Sequence, residues 1–205
     1  MRLGMNLKRV YRLMLPFLAL VSCGNGTSEL SLPISTERAV AYGRVIIREN
    51  EFEMAYPHTG VGFKVRGVSN LYVSMYSETI DETNPTYVDV IVDEDTSKIA
   101  IEEGRKNYKI AQFPSTDSKE HVVKIIKLTE AQVGNLVIDG MHVTAMTDDF
   151  NVSPVDLAPM CIEFIGNSIT CGYGNEDSTN HVGFLSEHQN AMKTYADIVA
   201  RHYRA

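Results

Sequence analysis

Between about positions 40 and 143 the apolar residues come in short runs, at 44–47, 62–66, 71–76, 87–92, 121–128 and 136–138. These runs are rich in Val, Ile and Tyr. They are broken by Pro57-His58-Thr59-Gly60, Asn84-Pro85, Glu103-Gly104, Pro114-Ser115 and Val133-Gly134-Asn135. Short strands with turn-forming residues between them predict an antiparallel sandwich or barrel. In the 121–128 run, Val122, Ile126 and Leu128 fall on one side and Val123 and Ile125 on the other. Apolar residues on both sides predict a strand covered on both faces.

The pattern changes at 148–160, a polar stretch holding Pro154 and Pro159, which reads as a linker. The short apolar run 161–165 then predicts a strand leading straight into Gly166-Asn167-Ser168. After a polar loop at 177–190, Tyr195, Ile198, Val199 and Tyr203 recur at i, i+3, i+4 and i+8, one face of an amphipathic helix. A strand, a turn with Ser, a loop and a helix open an α/β domain. The expected organisation is therefore a β-sandwich at 36–147, a linker at 148–160 and the first strand and helix of an α/β domain at 161–205. A lone strand–helix pair cannot cover a parallel sheet, so order in that last part requires packing against the sandwich.

The beginning of the chain has a different composition. Arg2, Lys8, Arg9 and Arg12 precede an apolar run at 13–21. Such a run is too short for a bilayer core of about 30 Å, which needs roughly 20 helical residues. A basic start and a short apolar run describe a secretory signal peptide at 1–22. The tetrad Leu20-Val21-Ser22-Cys23 resembles the bacterial lipobox, which implies a lipid on Cys23, a tether at 23–35 and a place in the bacterial cell envelope, periplasmic or at the cell surface. An ordinary signal peptide with a chance Cys is the alternative.

The formal charge is −7. Beyond the signal segment 15 bases face 26 acids, a net of −11, which argues against nucleic acid and favours a neutral partner. Cys161 and Cys171 are expected at opposite ends of a strand, too far apart to bridge, as buried free thiols rather than metal ligands.

Chemistry concentrates in 162–174. A Ser just past a strand at the carboxyl edge of a parallel sheet stands in the crevice where ligands bind. Gly166 permits a sharp turn, and Gly172 and Gly174 allow backbone to approach a ligand closely. Backbone N–H groups at the start of a following helix can stabilise an oxyanion. The Gly-x-Ser-x-Gly elbow of α/β hydrolases is not met, because position 170 is Thr. On chemistry alone a structural turn remains the competing reading.

The segment Gly166-Asn167-Ser168-Ile169-Thr170 resembles the first sequence block of the SGNH (GDSL-type) esterases, and 162–176 looks like carbohydrate esterase family 2. Upstream, Gly43-Arg44, 60–66 and 122–132 resemble that family's jelly-roll domain. Downstream, Asn190-Ala191 and 194–201 resemble the first helix of its esterase domain. The resemblance implies a jelly-roll sandwich followed by the opening of a three-layer SGNH-hydrolase domain. It also implies an extracellular enzyme, acting as a monomer without cofactor or metal, that removes O-acetyl groups from a plant polysaccharide such as xylan or mannan. Ser168 would be the nucleophile, Gly166, Asn167 and Ser168 the oxyanion turn, and Gly172, Tyr173, Gly174 and Glu176 a substrate loop.

Two departures matter. Asn167 replaces the commoner Asp, keeping an acceptor but losing the charge. The family's further oxyanion donors (a Gly and an Asn) and its acid/base His come from later blocks, whereas this sequence closes 37 residues after Ser168. A Ser hydroxyl is a weak nucleophile without a base in reach. The chain is therefore expected to be inactive by itself; His181 and His188 in the loop and His202 on the helix are the candidates for a stand-in base, but loop histidines are more often solvated surface groups. The alternative function is a non-catalytic carbohydrate-binding or structural surface lipoprotein module.

The remaining candidates read as structural. His58 is expected in a turn, His121 and His142 at strand ends, and Asp93-Glu94-Asp95 at a solvated hairpin tip rather than on calcium. Most of Tyr42, Tyr56, Tyr72, Tyr76, Tyr87 and Tyr108 are expected to pack in the sandwich rather than stack on sugars.

Overall fold

In the computed structural model of the protein, residues 27–79, 81, 83–146, 150–179 and 183–205 are described. The predicted signal segment, Cys23 and His181 lie outside them. Among the described residues no helix is long and apolar enough to cross a membrane.

Among the described residues twelve strands form two antiparallel sheets. They are β1 (Ser28–Pro33), β2 (Val40–Tyr42), β3 (Val45–Arg48), β4 (Glu51–Met54), β5 (Gly60–Arg66), β6 (Val68–Thr79), β7 (Thr86–Val92), β8 (Asp95–Ile101), β9 (Lys106–Gln112), β10 (Glu120–Lys127), β11 (Gly134–Ala145) and β12 (Asn151–Pro154). The first sheet runs β3-β4-β11-β6-β9, with β1 also paired to β11. The second runs β12-β5-β10-β7-β8, with β2 also paired to β5. Neighbours such as β11 and β6, or β10 and β5, are distant in sequence, as in a jelly roll.

The two inner faces interdigitate in one core. Phe52, Met54, Leu71, Val73, Met75, Leu136 and Ile138 come from the first sheet, and Val61, Phe63, Val65, Val88, Val90, Val123 and Ile125 from the second. Alternation of apolar-in and polar-out produces this arrangement, because successive strand residues point to opposite faces. The double-sided reading of the 121–128 run also holds: Val123 and Ile125 are in the core, while Ile126 and Leu128 are buried outside that cluster.

Three local expectations change. The stretch read as a tether contributes β1, whose Leu30 and Leu32 pack against the core beside β11. The stretch read as a linker contributes β12, an edge strand on β5 whose final residue is Pro154. An edge position tolerates a proline because its missing N–H removes no ladder bond. His142 lies inside β11 rather than at a strand end.

The predicted strand at 161–165 does not form. The segment is extended but has no neighbouring strand among the described residues, and Ile165 is 91% exposed. Backbone hydrogen bonds to a partner define a strand, and apolar residues alone cannot replace them. Helices α1 (Ser168–Cys171) and α2 (Tyr195–Tyr203) follow, with short 3₁₀ turns at Ser186–His188 and Ala191–Lys193 between them.

Candidate active-site turn

The chain turns at Gly166, where a Cβ would lie 2.0 Å from Thr170 Oγ1 and 2.9 Å from Thr170 Cβ. Thr170 leaves room only for glycine there. Asn167 caps α1: its Oδ1 accepts from the Ile169 N–H at 3.1 Å, and its carbonyl accepts from Thr170 N–H at 2.9 Å. The amide thus keeps the acceptor role that the commoner Asp would fill. Ser168 is exposed at the first position of α1. Its backbone N–H has no intrahelical acceptor, as for any first-turn residue. No described side chain hydrogen-bonds its hydroxyl.

The histidines considered as bases are engaged elsewhere or placed elsewhere. The His188 ring lies 3.8 Å from an Asp177 carboxylate oxygen and 3.6 Å from one of Glu187. His202 meets Tyr203 edge-on at the end of α2. Thr170 shares a 2.8 Å hydrogen bond with the Tyr195 hydroxyl, which holds the start of α2 beside the Ser168 turn.

The expected substrate loop forms a joint with the sandwich. Gly172 caps α1 at φ +80°, and a Cβ there would lie 2.3 Å from the Asn190 carbonyl, so the close approach is to protein backbone. Gly174 also adopts positive φ but faces open space. Tyr173 stacks on Phe184 with centroids 5.1 Å apart. Glu176 accepts from Lys98 at 2.5 Å, Lys193 at 2.6 Å and Asn190 Nδ2 at 3.1 Å. Partial burial opposes ionisation of Glu176, but hydrogen bonds from Lys193 and Lys98 outweigh it and hold its carboxyl below the usual range.

Residues outside the motif build the rest of this joint. Lys98 on β8 also donates to the carbonyls of Glu187 at 2.6 Å and Gln189 at 3.2 Å. Asn175 Nδ2 donates to the Asn190 carbonyl at 2.9 Å, and Asn175 Oδ1 accepts the Asn190 N–H at 3.1 Å. Ser186 N–H reaches Asn84 Oδ1 at 2.9 Å, and His58 Nε2 lies 3.2 Å from buried Asp197. The outer face of the second sheet is thereby covered: Asp89 is buried there, and burial raises its pKa. His58 does sit in a turn, at φ +64°, with its N–H on the Lys127 carbonyl. Asn190 caps the turn at Ala191–Lys193, its side chain accepting from the Met192 N–H.

Lys98→Met should loosen this joint while leaving the sandwich intact. Amide exchange at 171–193 should speed up by an order of magnitude, since a hydrogen bond to a charged group contributes about 1.5–3 kcal/mol. Unchanged exchange in that segment would show that the joint does not depend on Lys98.

The apolar face of α2 points away from the sandwich. Tyr195, Ile198 and Tyr203 are about half exposed or more, whereas Ala196 and Asp197 are buried. Asp197 faces His58 and pairs with Arg201. With Ile165 and Ile169, these residues leave an apolar surface around the Ser168 turn. Cys161 and Cys171 are both free, as expected, but Cys161 is exposed and Cys171 only half-buried, because no strand encloses them. Asp93 is a structural group: it accepts from His121 Nδ1 at 2.8 Å and from Val122 N–H at 2.9 Å. His121 also stacks on Phe113. No metal-competent group of three ligands occurs among the described residues.

The profile of the Carbohydrate esterase 2 N-terminal family matches residues 41–149, more than half the chain. The chain belongs to the Carbohydrate esterase 2 N-terminal family. Over 89 residues it is 36% identical to the cellulase/esterase CelE of Acetivibrio thermocellus, covering 42% of this chain and 10% of that one. A family two carbohydrate esterase from Cellvibrio japonicus superimposes with a TM-score of 0.72 at 25% identity, over 86% of this chain and 50% of that one. The acetyl xylan esterase Est2A from Butyrivibrio proteoclasticus shares the fold, with a TM-score of 0.72 at 18% identity over 87% and 47% of the two chains. A Clostridium thermocellum family member in complex with cellohexaose does so at 0.68 and 24%, over 82% and 49%. The chain thus spans about half the length of these solved structures and a tenth of CelE.

Proposed function

We infer that this chain is the jelly-roll half and nucleophile turn of a secreted carbohydrate O-acetylesterase. Its substrate class is an acetylated plant polysaccharide of the xylan or mannan kind. The carrying observation is the exposed Ser168 on the glycine-requiring turn at the start of α1, in a chain of family 2. Ser168 Oγ would attack the acetyl carbonyl, releasing the sugar hydroxyl and leaving an acyl-enzyme that water hydrolyses. The Ser168 N–H would supply one oxyanion donor.

The 205-residue chain should itself be nearly inactive, because no described side chain serves the Ser168 hydroxyl as a base. Acetyl release from acetylated xylan should be equally low for the chain and its Ser168→Ala variant. Ser168-dependent turnover would reverse this and direct attention to His181, outside the described residues.

The envelope location belongs to the same reading. Cys23→Ala should move the protein from the membrane fraction to the soluble fraction of a bacterial host, with loss of lipid labelling. Retention of the variant in the membrane would exclude Cys23 as the anchor.

A further inference from the structure

We propose that the outer face of the first sheet carries a binding groove for a neutral pyranose chain, centred on Tyr72 and His142 and independent of Ser168. Strand β6 turns Leu71, Val73 and Met75 into the core, so Tyr72 stands on the outer face. Strand β11 buries Met141 and Val143, so His142 and Thr144 stand there too. Register places His142 opposite both Tyr72 and Ser31, Thr144 opposite Glu29, and Ser74 opposite Asn107. Glu29, Ser31, Tyr72, Asn107, His142 and Thr144 line a groove of about 450 Å³, within the ~300–1,000 Å³ range of small-molecule sites.

Two further observations separate this groove from ordinary strand surface. First, the polar ends of these six side chains have no partner among the described residues. The neighbouring groove on the same sheet is instead occupied by its own contacts. There Arg48 pairs with Glu53 at 2.5 Å, Asn135 donates to Glu53 at 3.0 Å, and Arg105 lies over the Tyr76 ring. Second, the β6–β9 register shifts between Leu71 and Tyr72, and the β6–β11 register shifts between Ile138 and Gly140 and between Thr144 and Ala145. Such irregularities bend a strand and re-aim its side chains.

The chemistry selects the ligand. A partly exposed phenol beside an imidazole offers flat apolar area at low entropy cost, matching the C–H face of a pyranose. The amide, hydroxyls and carboxylate around them offer both donors and acceptors to a hydroxyl rim. An apolar ligand would strand those groups. A polyanion would meet Glu29 and an acidic protein.

Affinity electrophoresis of the full chain through gels holding unsubstituted xylan or glucomannan tests this, with polygalacturonate as the anionic control and thermal unfolding as the fold check. Retardation by a neutral polysaccharide is expected, unchanged in Ser168→Ala and about tenfold weaker in Tyr72→Ala and in the exposed Asn107→Ala. No retardation by either neutral polymer, or retardation by polygalacturonate alone, would overturn the proposal. So would undiminished retardation of folded Tyr72→Ala and Asn107→Ala. Loss of retardation in Ser168→Ala alone would assign binding to the esterase turn and equally refute the groove.

Discussion

Raising the pH from about 7 to about 9.5 should stabilise the wild-type protein relative to its Lys127→Met variant by on the order of 3 kcal/mol. Lys127 is fully buried at the end of β10. Burial depresses its pKa from 10.5 to about 7, with Glu130 opposing the shift. In this window the unfolded chain binds a proton that the native amine has released. The unfolded state therefore holds more protons, and stability rises with pH up to the unfolded value near 10.5. Below about 6 both states are protonated and the difference should level off.

The amine remains useful when neutral. It reaches the Thr129 carbonyl at 2.6 Å, the Thr129 hydroxyl at 3.3 Å and the Glu130 carbonyl at 3.2 Å, the last of which also accepts the Val133 N–H. Urea unfolding of both proteins across the pH series measures the effect. Comparison with the variant removes the alkaline contribution of the half-buried Tyr42, Tyr87 and Tyr108, whose pKa values partial burial raises. A pH-independent gap between the two proteins would mean that Lys127 keeps its ordinary pKa in the native state.

The largest kinetic effect is expected in a chimera. Residues 1–205 joined to the half of the Cellvibrio japonicus enzyme that they do not cover should release acetyl groups from acetylated xylan. Ser168→Ala within that chimera should cut kcat by at least about 10³-fold, because losing the attacking oxygen removes the covalent route. Asn167→Ala should cost far less. It removes only the cap on the Ile169 N–H, worth about 1 kcal/mol, or roughly fivefold if the turn's position suffers in proportion. The exposed Ile165, Ile169 and Ile198 supply the apolar surface on which the added half would fold. A folded chimera that turned over equally with Ala at 168 would refute Ser168 as the nucleophile.

The joint between sandwich and C-terminal segment gives Glu176 a mechanical role. With Lys98, Lys193 and Asn190 around it, its carboxylate anchors the loop that follows the Ser168 turn. The motif thus contains residues that hold the Ser168 turn against the sandwich.

Local chemistry was enough for the sandwich and the turn. Alternation in runs such as 62–66, 71–76 and 87–92 is a property of the strand itself, since each strand residue must choose a face. The Gly166-Asn167-Ser168 turn is equally local: steric exclusion by Thr170 and the Asn167 cap act within five residues. Other features arose only from distant partners. The short segments β1 and β12, each with few apolar positions, become strands because β11 and β5 offer them open edges. Lys127 acquires its unusual acidity, Glu176 its ion pairs and α2 its outward apolar face only once the C-terminal segment lies on the second sheet. Burial and charge pairing depend on which surfaces meet, and one-dimensional periodicity carries no record of that choice.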